Sequence, residues 1–90
     1  MKKAIVTVIG RDQVGIIAAV CTRLSEKNVN VLDISQTILQ EYFTMIMLVD
    51  VGEANVPFAV LKDELAAAGA ARGLDIRVQR EDTFQAMHQL

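Results

Sequence analysis

The sequence is short of the residues around which small catalytic and metal-binding domains are built, with one cysteine, one histidine and one proline among 90 residues. A lone cysteine, Cys21, cannot close an internal disulfide, and on an apolar helical stripe it serves as a small hydrophobe. His88 stands alone, and no Cys/His cluster has metal-ligand spacing. No glycine-rich loop ends in Gly-Lys-Ser or Gly-Lys-Thr, so a nucleotide cradle is missing as well. Long apolar runs are absent too. Met1-Lys-Lys-Ala-Ile-Val6 superficially resembles a leader peptide, but Arg11 and Asp12 interrupt the apolar run, and no stretch approaches bilayer-spanning length. Basic charge is not in excess: nine lysines and arginines against eleven acids leave a net charge of −2. That balance argues against a phosphate-backbone binder. The expectations are no catalytic residue, no metal, no cofactor, no nucleic-acid or membrane partner, and a reducing cytoplasm as the location.

What the chain does have is apolar surface. Hydrophobic residues make up 52% and charged ones only 22%, with a mean hydropathy of +0.33. Ninety residues make one domain, residues 1–90, and a domain this small buries only about 60 to 65% of its unfolded surface. The surplus is expected to go into a homodimer interface.

The rest is organised around Gly10-Arg-Asp-Gln-Val-Gly-Ile-Ile17. Before it, Lys3 to Ile9 is a β-branched run apolar on both alternating faces, as a central strand would be. After it, Val14, Ile17, Cys21 and Leu24 recur at 3-4-3 spacing and predict a helical stripe. Gly10 can take a positive φ and turn the chain out of the strand. Asp12 is a good N-cap for a helix over 13–27, and Gly15 then falls in the first turn at a cost of roughly 1 kcal/mol. Two readings compete at this corner. In one, Gly10 is a turn glycine, Asp12 only a cap, and Gly15 lets the helix pack closely. In the other, the bare helix start receives the carboxylate of a small ligand while Asp12 faces its ammonium group, so that an amino acid satisfies both.

The first helix should end at Asn28, which tolerates the left-handed position. Asn30 to Leu39 alternates Leu32, Ile34 and Ile38 with Asp33, Ser35 and Thr37, predicting an antiparallel strand with one wet face. Tyr42 to Val49 is apolar on both faces, and Gln40-Glu41 joins the two strands without a favoured turn glycine. Asn55 is a candidate cap for a second helix with Pro57 in its first turn and Phe58, Leu61, Leu65 and Ala68 on its buried stripe. Leu74 to Arg80 is an edge strand with Ile76 and Val78 inward. Phe84 to Leu90 is a last helical segment capped by Asp82 or Thr83.

The order β-α-β-β-α-β closes as a ferredoxin-like α+β fold, a four-stranded antiparallel sheet with both helices on one face and a short C-terminal helix. The first and third strands fall in the middle. The opposite face, assigned to Ala4, Val6, Val8 and their third-strand neighbours, then needs cover from the helix around Phe84 and Met87 or from a second copy of the chain.

With this order, Gly10 to Ile16 followed by a helix and Asn28-Val-Asn-Val-Leu-Asp33 resembles the ACT domain, a small regulatory module that binds amino acids. The segments Asp33-Ile-Ser-Gln-Thr37, Glu41-Tyr-Phe-Thr-Met45 and Phe84-Gln-Ala-Met-His88 are similar to stand-alone bacterial and archaeal ACT proteins (UPF0237-like). The resemblance implies a module without catalysis. It also implies a ligand seated between the loop after the first strand of one copy and the start of the second strand of its neighbour. Carried onto this chain, the contacts are Gly10, Arg11, Asp12, Gln13 and Gly15, facing Asn30 and Val31 across a dimer. Asn30 is apt on chemical grounds as well, because its amide both donates to a carboxylate and accepts from an ammonium. Acylphosphatases share the fold order, but their loop arginine, four residues beyond a glycine, is Ala19 here when counted from Gly15. Asp12, Asp33 and His88 are the remaining acid-base candidates. The alternative is a regulator that docks on an enzyme or transcription factor without a small ligand, a reading to which Met45 and Met47 are relevant if they lie on a surface.

Overall fold

A strand apolar on both faces has to lie inside a sheet, and in the computed structural model, which describes residues 2–83, the first strand does. β1 (Lys3–Arg11), α1 (Ile16–Glu26), β2 (Asn30–Leu39), β3 (Tyr42–Asp50), α2 (Phe58–Ala70) and β4 (Asp75–Arg80) follow the expected order. The four strands are antiparallel in the order β2-β3-β1-β4. Residues 81–83 are helical. The segment Phe84 to Leu90, with the expected roles of Phe84, Met87 and His88, lies outside the described residues.

The core lies between the sheet and the two helices. Ala4, Val6 and Val8 of β1 and Phe43, Met45, Met47 and Val49 of β3 meet Ile16, Val20 and Leu24 of α1 and Leu61 and Leu65 of α2. This corrects the assignment of faces. Ala4, Val6 and Val8 are on the covered side, and the open side carries Ile5, Thr7 and Ile9, whose β3 partners are Leu48, Ile46 and Thr44. Met45 and Met47 are fully buried and fill the core.

The helical stripe is also shifted. Ile16, Val20 and Leu24 at 4-4 spacing are buried, Cys21 packs at their edge, and Ile17 stays partly exposed. Val14, expected on the stripe, is 97% exposed because it precedes the helix. The helix ends as expected: Asn28 takes a φ of 57°, and the Val29 amide reaches back to the Leu24 carbonyl at 2.9 Å. That bond closes the last turn with a left-handed residue.

Two further expectations change. Asn55 caps nothing in α2. Its side-chain amide donates to the Glu26 carbonyl at 3.0 Å and its backbone amide to the Lys27 carbonyl, so it closes the end of α1, while Pro57 occupies the N-cap of α2. β2 has no well-buried face. A bulge at Leu32, between Val31 and Asp33, shifts its register. Ile34 and Ile38 then lie beside Met47 and Phe43 on the helix side, yet remain 40% and 56% exposed. β2 is an edge strand that the helices do not roof.

Candidate ligand-binding corner

The corner after β1 is built differently from a capped helix start. Gly10 does not turn the chain. It stays in β1 opposite Phe43, and it is glycine because a Cβ there would sit 2.5 Å from Leu74 Cδ2 and 3.3 Å from the Gly73 carbonyl oxygen. Arg11 continues the strand opposite Tyr42. Asp12 is not the N-cap. Its amide donates to the Glu41 carbonyl at 2.8 Å, which fixes the loop to the β2–β3 hairpin. The N-cap is Gly15, with φ 86° and ψ 10° and no side-chain cap. So Gly15 does not fall inside the first turn, and its glycine identity answers to the left-handed backbone at the cap.

Gln13 goes the other way. Its Nε2 donates to the Arg72 carbonyl at 3.1 Å, and Arg72 Nη1 donates to Gln13 Oε1 at 3.4 Å. A Cβ on Gly15 would lie 4.0 Å from the same Arg72 nitrogen. The corner is therefore divided. Arg11 and Asp12 are tied toward β3 and the hairpin, Gln13 and Gly15 toward the end of α2. The start of α1 has no side-chain acceptor and no acid in its first turn, so its leading amides keep their partial positive charge.

Asn30 and Val31 lie at the other end of the sheet. Asn30 pairs with Asp50, itself opposite Lys3, whereas Gly10 lines up with Phe43 and Ile38. From the Lys3 row to the Gly10 row is roughly 23 Å at about 3.3 Å per strand residue. Asn30 lines a recess of about 460 Å³ with Ser25, Asn28, Val29, Asp50 and Glu53. In that recess the Asn28 side chain donates to the Glu53 carbonyl at 2.8 Å, and Asp50 Oδ1 accepts from the Gly52 amide. Within one chain the two halves of the predicted site do not meet. Residue-by-residue reading did not single out Arg72, Asp50 and Glu53. Their only local signals are the turn glycines beside them, Gly73 and Gly52.

A family model described as ACT domain matches residues 2–79. The chain belongs to the ACT domain family. Its similarity to UPF0237 proteins runs from end to end. It is 53% identical over 90 residues to the one from Bifidobacterium longum, and both chains are covered completely. It is 50% identical to the one from Methanocaldococcus jannaschii, again over 90 residues and all of both chains. Among solved structures it superposes on an ACT domain protein from Streptococcus pneumoniae with a TM-score of 0.79 and 37% identity, covering 99% of this chain and 96% of that one. The ACT assignment makes this a member of a regulatory module family. Among the described residues no group of three or more His, Cys, Asp or Glu side chains is placed to hold a metal. No described helix is long and apolar enough to cross a membrane.

Proposed function

We propose that residues 1–90 form a single, non-catalytic ACT module of the cytoplasm that acts as a homodimer and binds an amino-acid-like effector between its two copies. The observation that carries this reading is the separation of the two site halves to opposite ends of one sheet, together with the bare, ten-residue edge offered by β2. A C2 dimer that pairs β2 with β2 antiparallel runs the strands in opposite directions. The Asn30 end of one copy then comes beside the hairpin end of the other, the end that bears Arg11 and Asp12. Half-exposed Ile34 and Ile38 support this arrangement, since an unroofed apolar edge whose one charged residue is Asp33 is open to pairing. In the shared cleft the ligand carboxylate faces the amides leading into α1, and its ammonium faces Asp12 or the Asn30 recess with Asp50 and Glu53.

The test is thermal melting against the twenty amino acids, with light scattering for the assembly. At a hundred times its Kd a ligand stabilises by about 2.7 kcal/mol, so at least one amino acid should raise the melting temperature. A flat panel, or a 9.9 kDa particle at micromolar concentration, overturns the reading. The open sheet face favours a second reading in that event. Ile9, Ile46, Tyr42 and Leu39 are exposed there, and a protein partner docking on them would make the module a regulator without a small ligand.

A further inference from the structure

A gap separates α1 from α2 on the covered side of the sheet. α1 and its N-cap turn Gly15, Ala18, Ala19 and Thr22 toward it and α2 adds Ala68, while Val20 and Leu65 lie buried at its floor. The space measures about 420 Å³, within the range of pockets that enclose small molecules. Its floor is the buried core, and its charge is of one sign. Arg72 stands where α1 begins and Arg23 in the last turn of α1, and among the described residues no carboxylate lines the gap. Arg72 is held by Gln13, a neutral acceptor that leaves its charge uncompensated. Neither arginine has an ion pair among the described residues: the nearest acid–base pair on these helices joins Lys27 to Glu64. Two uncompensated guanidinium groups facing one methyl-lined gap are unexpected in a chain of net charge −2.

We propose that this interhelical groove binds a small organic dianion, two acidic groups joined by a short uncharged spacer. Gly15 and Arg23 are about 12 Å apart along the helix at 1.5 Å per residue, and both arginines line the gap, so with their long side chains folded toward it a chain of a few carbons spans them. Each guanidinium takes one acidic end through charge-assisted hydrogen bonds. The Thr22 hydroxyl offers a further donor, and the spacer lies on the methyl groups of Ala18, Ala19 and Ala68. With an arginine at either end and a metabolite-sized volume between them, the groove fits a small molecule better than an acidic peptide. The groove meets the proposed amino-acid corner at Gly15, but its second arginine, Arg23, lies in the last turn of α1, away from that corner.

The experiment is an amide-shift titration of the full ¹⁵N-labelled chain with glutarate and with 3-phosphoglycerate, using butyrate as the singly charged control. Saturable shifts at Ala18, Ala19, Thr22 and Ala68 are expected with at least one dianion, and the one that responds distinguishes a dicarboxylate from a phosphate-bearing ligand. Butyrate should bind about tenfold or more weakly, and R23Q and R72Q should each weaken the dianion by a similar factor. Added salt should weaken it further. Both arginines are exposed, so the variants should keep the parent's far-ultraviolet dichroism. R23Q leaves Arg11 and Asp12 untouched and should keep any amino-acid response. The proposal is overturned if neither dianion shifts these amides, if both variants bind as the parent does, or if only an acidic peptide produces the shifts.

Discussion

Gln13 and Arg72 hold each other twice across 59 residues of sequence, with the Gln13 amide donating to the Arg72 carbonyl and the Arg72 guanidinium donating back. The pair ties the loop after β1 to the turn between α2 and β4. Gln13→Ala should lower stability by about 1 kcal/mol, the usual net worth of such bonds at a partly exposed site. Urea denaturation measures it. Faster hydrogen exchange at Gly15 and Ile16 should accompany the loss, because, of the loop's two anchors among the described residues, the one through Asp12 is then left.

Asp12→Ala separates the two roles offered for that residue. Since Asp12 does not cap α1, the substitution should change stability by no more than about 0.5 kcal/mol. A lost cap would cost about 1 kcal/mol. If Asp12 faces the ammonium of an effector, the same variant should lose the amino-acid melting shift while keeping its own melting temperature.

Alanine at the two corner glycines should destabilise for different reasons. At position 10 the methyl group collides with Leu74, which is itself buried, at an overpacking cost of about 1–3 kcal/mol. At position 15 there is room, but the left-handed backbone costs an L-residue about 1–2 kcal/mol. Asn tolerates that conformation, so Gly15→Asn should be milder than Gly15→Ala in a thermal melt, and Gly10→Asn harsher than Gly10→Ala.

Gln40 occupies the hairpin between Leu39 and Tyr42 with a φ of 56°. A non-glycine side chain carries strain there, so Gln40→Gly should stabilise by up to about 1 kcal/mol despite the extra freedom of the unfolded chain. Equilibrium unfolding of the two chains at one protein concentration checks this.

Ile38→Lys places a charge on the helix-side row of the edge strand at a site already 56% exposed. The monomer fold should survive with a change of no more than about 0.5 kcal/mol. If β2 pairs with a second copy, light scattering should show the dimer dissociating, because each lysine would then put an unpaired charge into an apolar seam.

The sheet was legible because apolar residues on both alternating faces leave a plain mark. Lys3–Ile9 and Tyr42–Val49 read as central, and both are. The helix ends followed the same logic at Asn28, where a residue tolerant of the left-handed region stands at the close of an apolar period. The corner was not legible. Asp12 is an excellent cap by type, yet its backbone is claimed by Glu41 and the cap passes to Gly15. Gln13 is positioned by Arg72, which no local pattern links to it. β2 alternated as a half-buried strand should, but whether its inner row is roofed depends on where α1 lies across the sheet. Of the candidate site, residue types and their local order could be read. The long-range bonds that aim them could not.

The bulge at Leu32 limits how much of the β2 edge can accept a further strand. A straight edge of low charge invites an endless succession of strands, the beginning of a fibre. An extra residue near one end increases the local twist and breaks the even spacing of outward amides and carbonyls. Only the stretch from Asp33 to Leu39 then stays regular enough to accept a neighbour. The far margin of the sheet is the short β4, with Asp75, Arg77 and Arg80 along it. A bulged margin on one side and a short, charged one on the other both oppose the endless addition of strands.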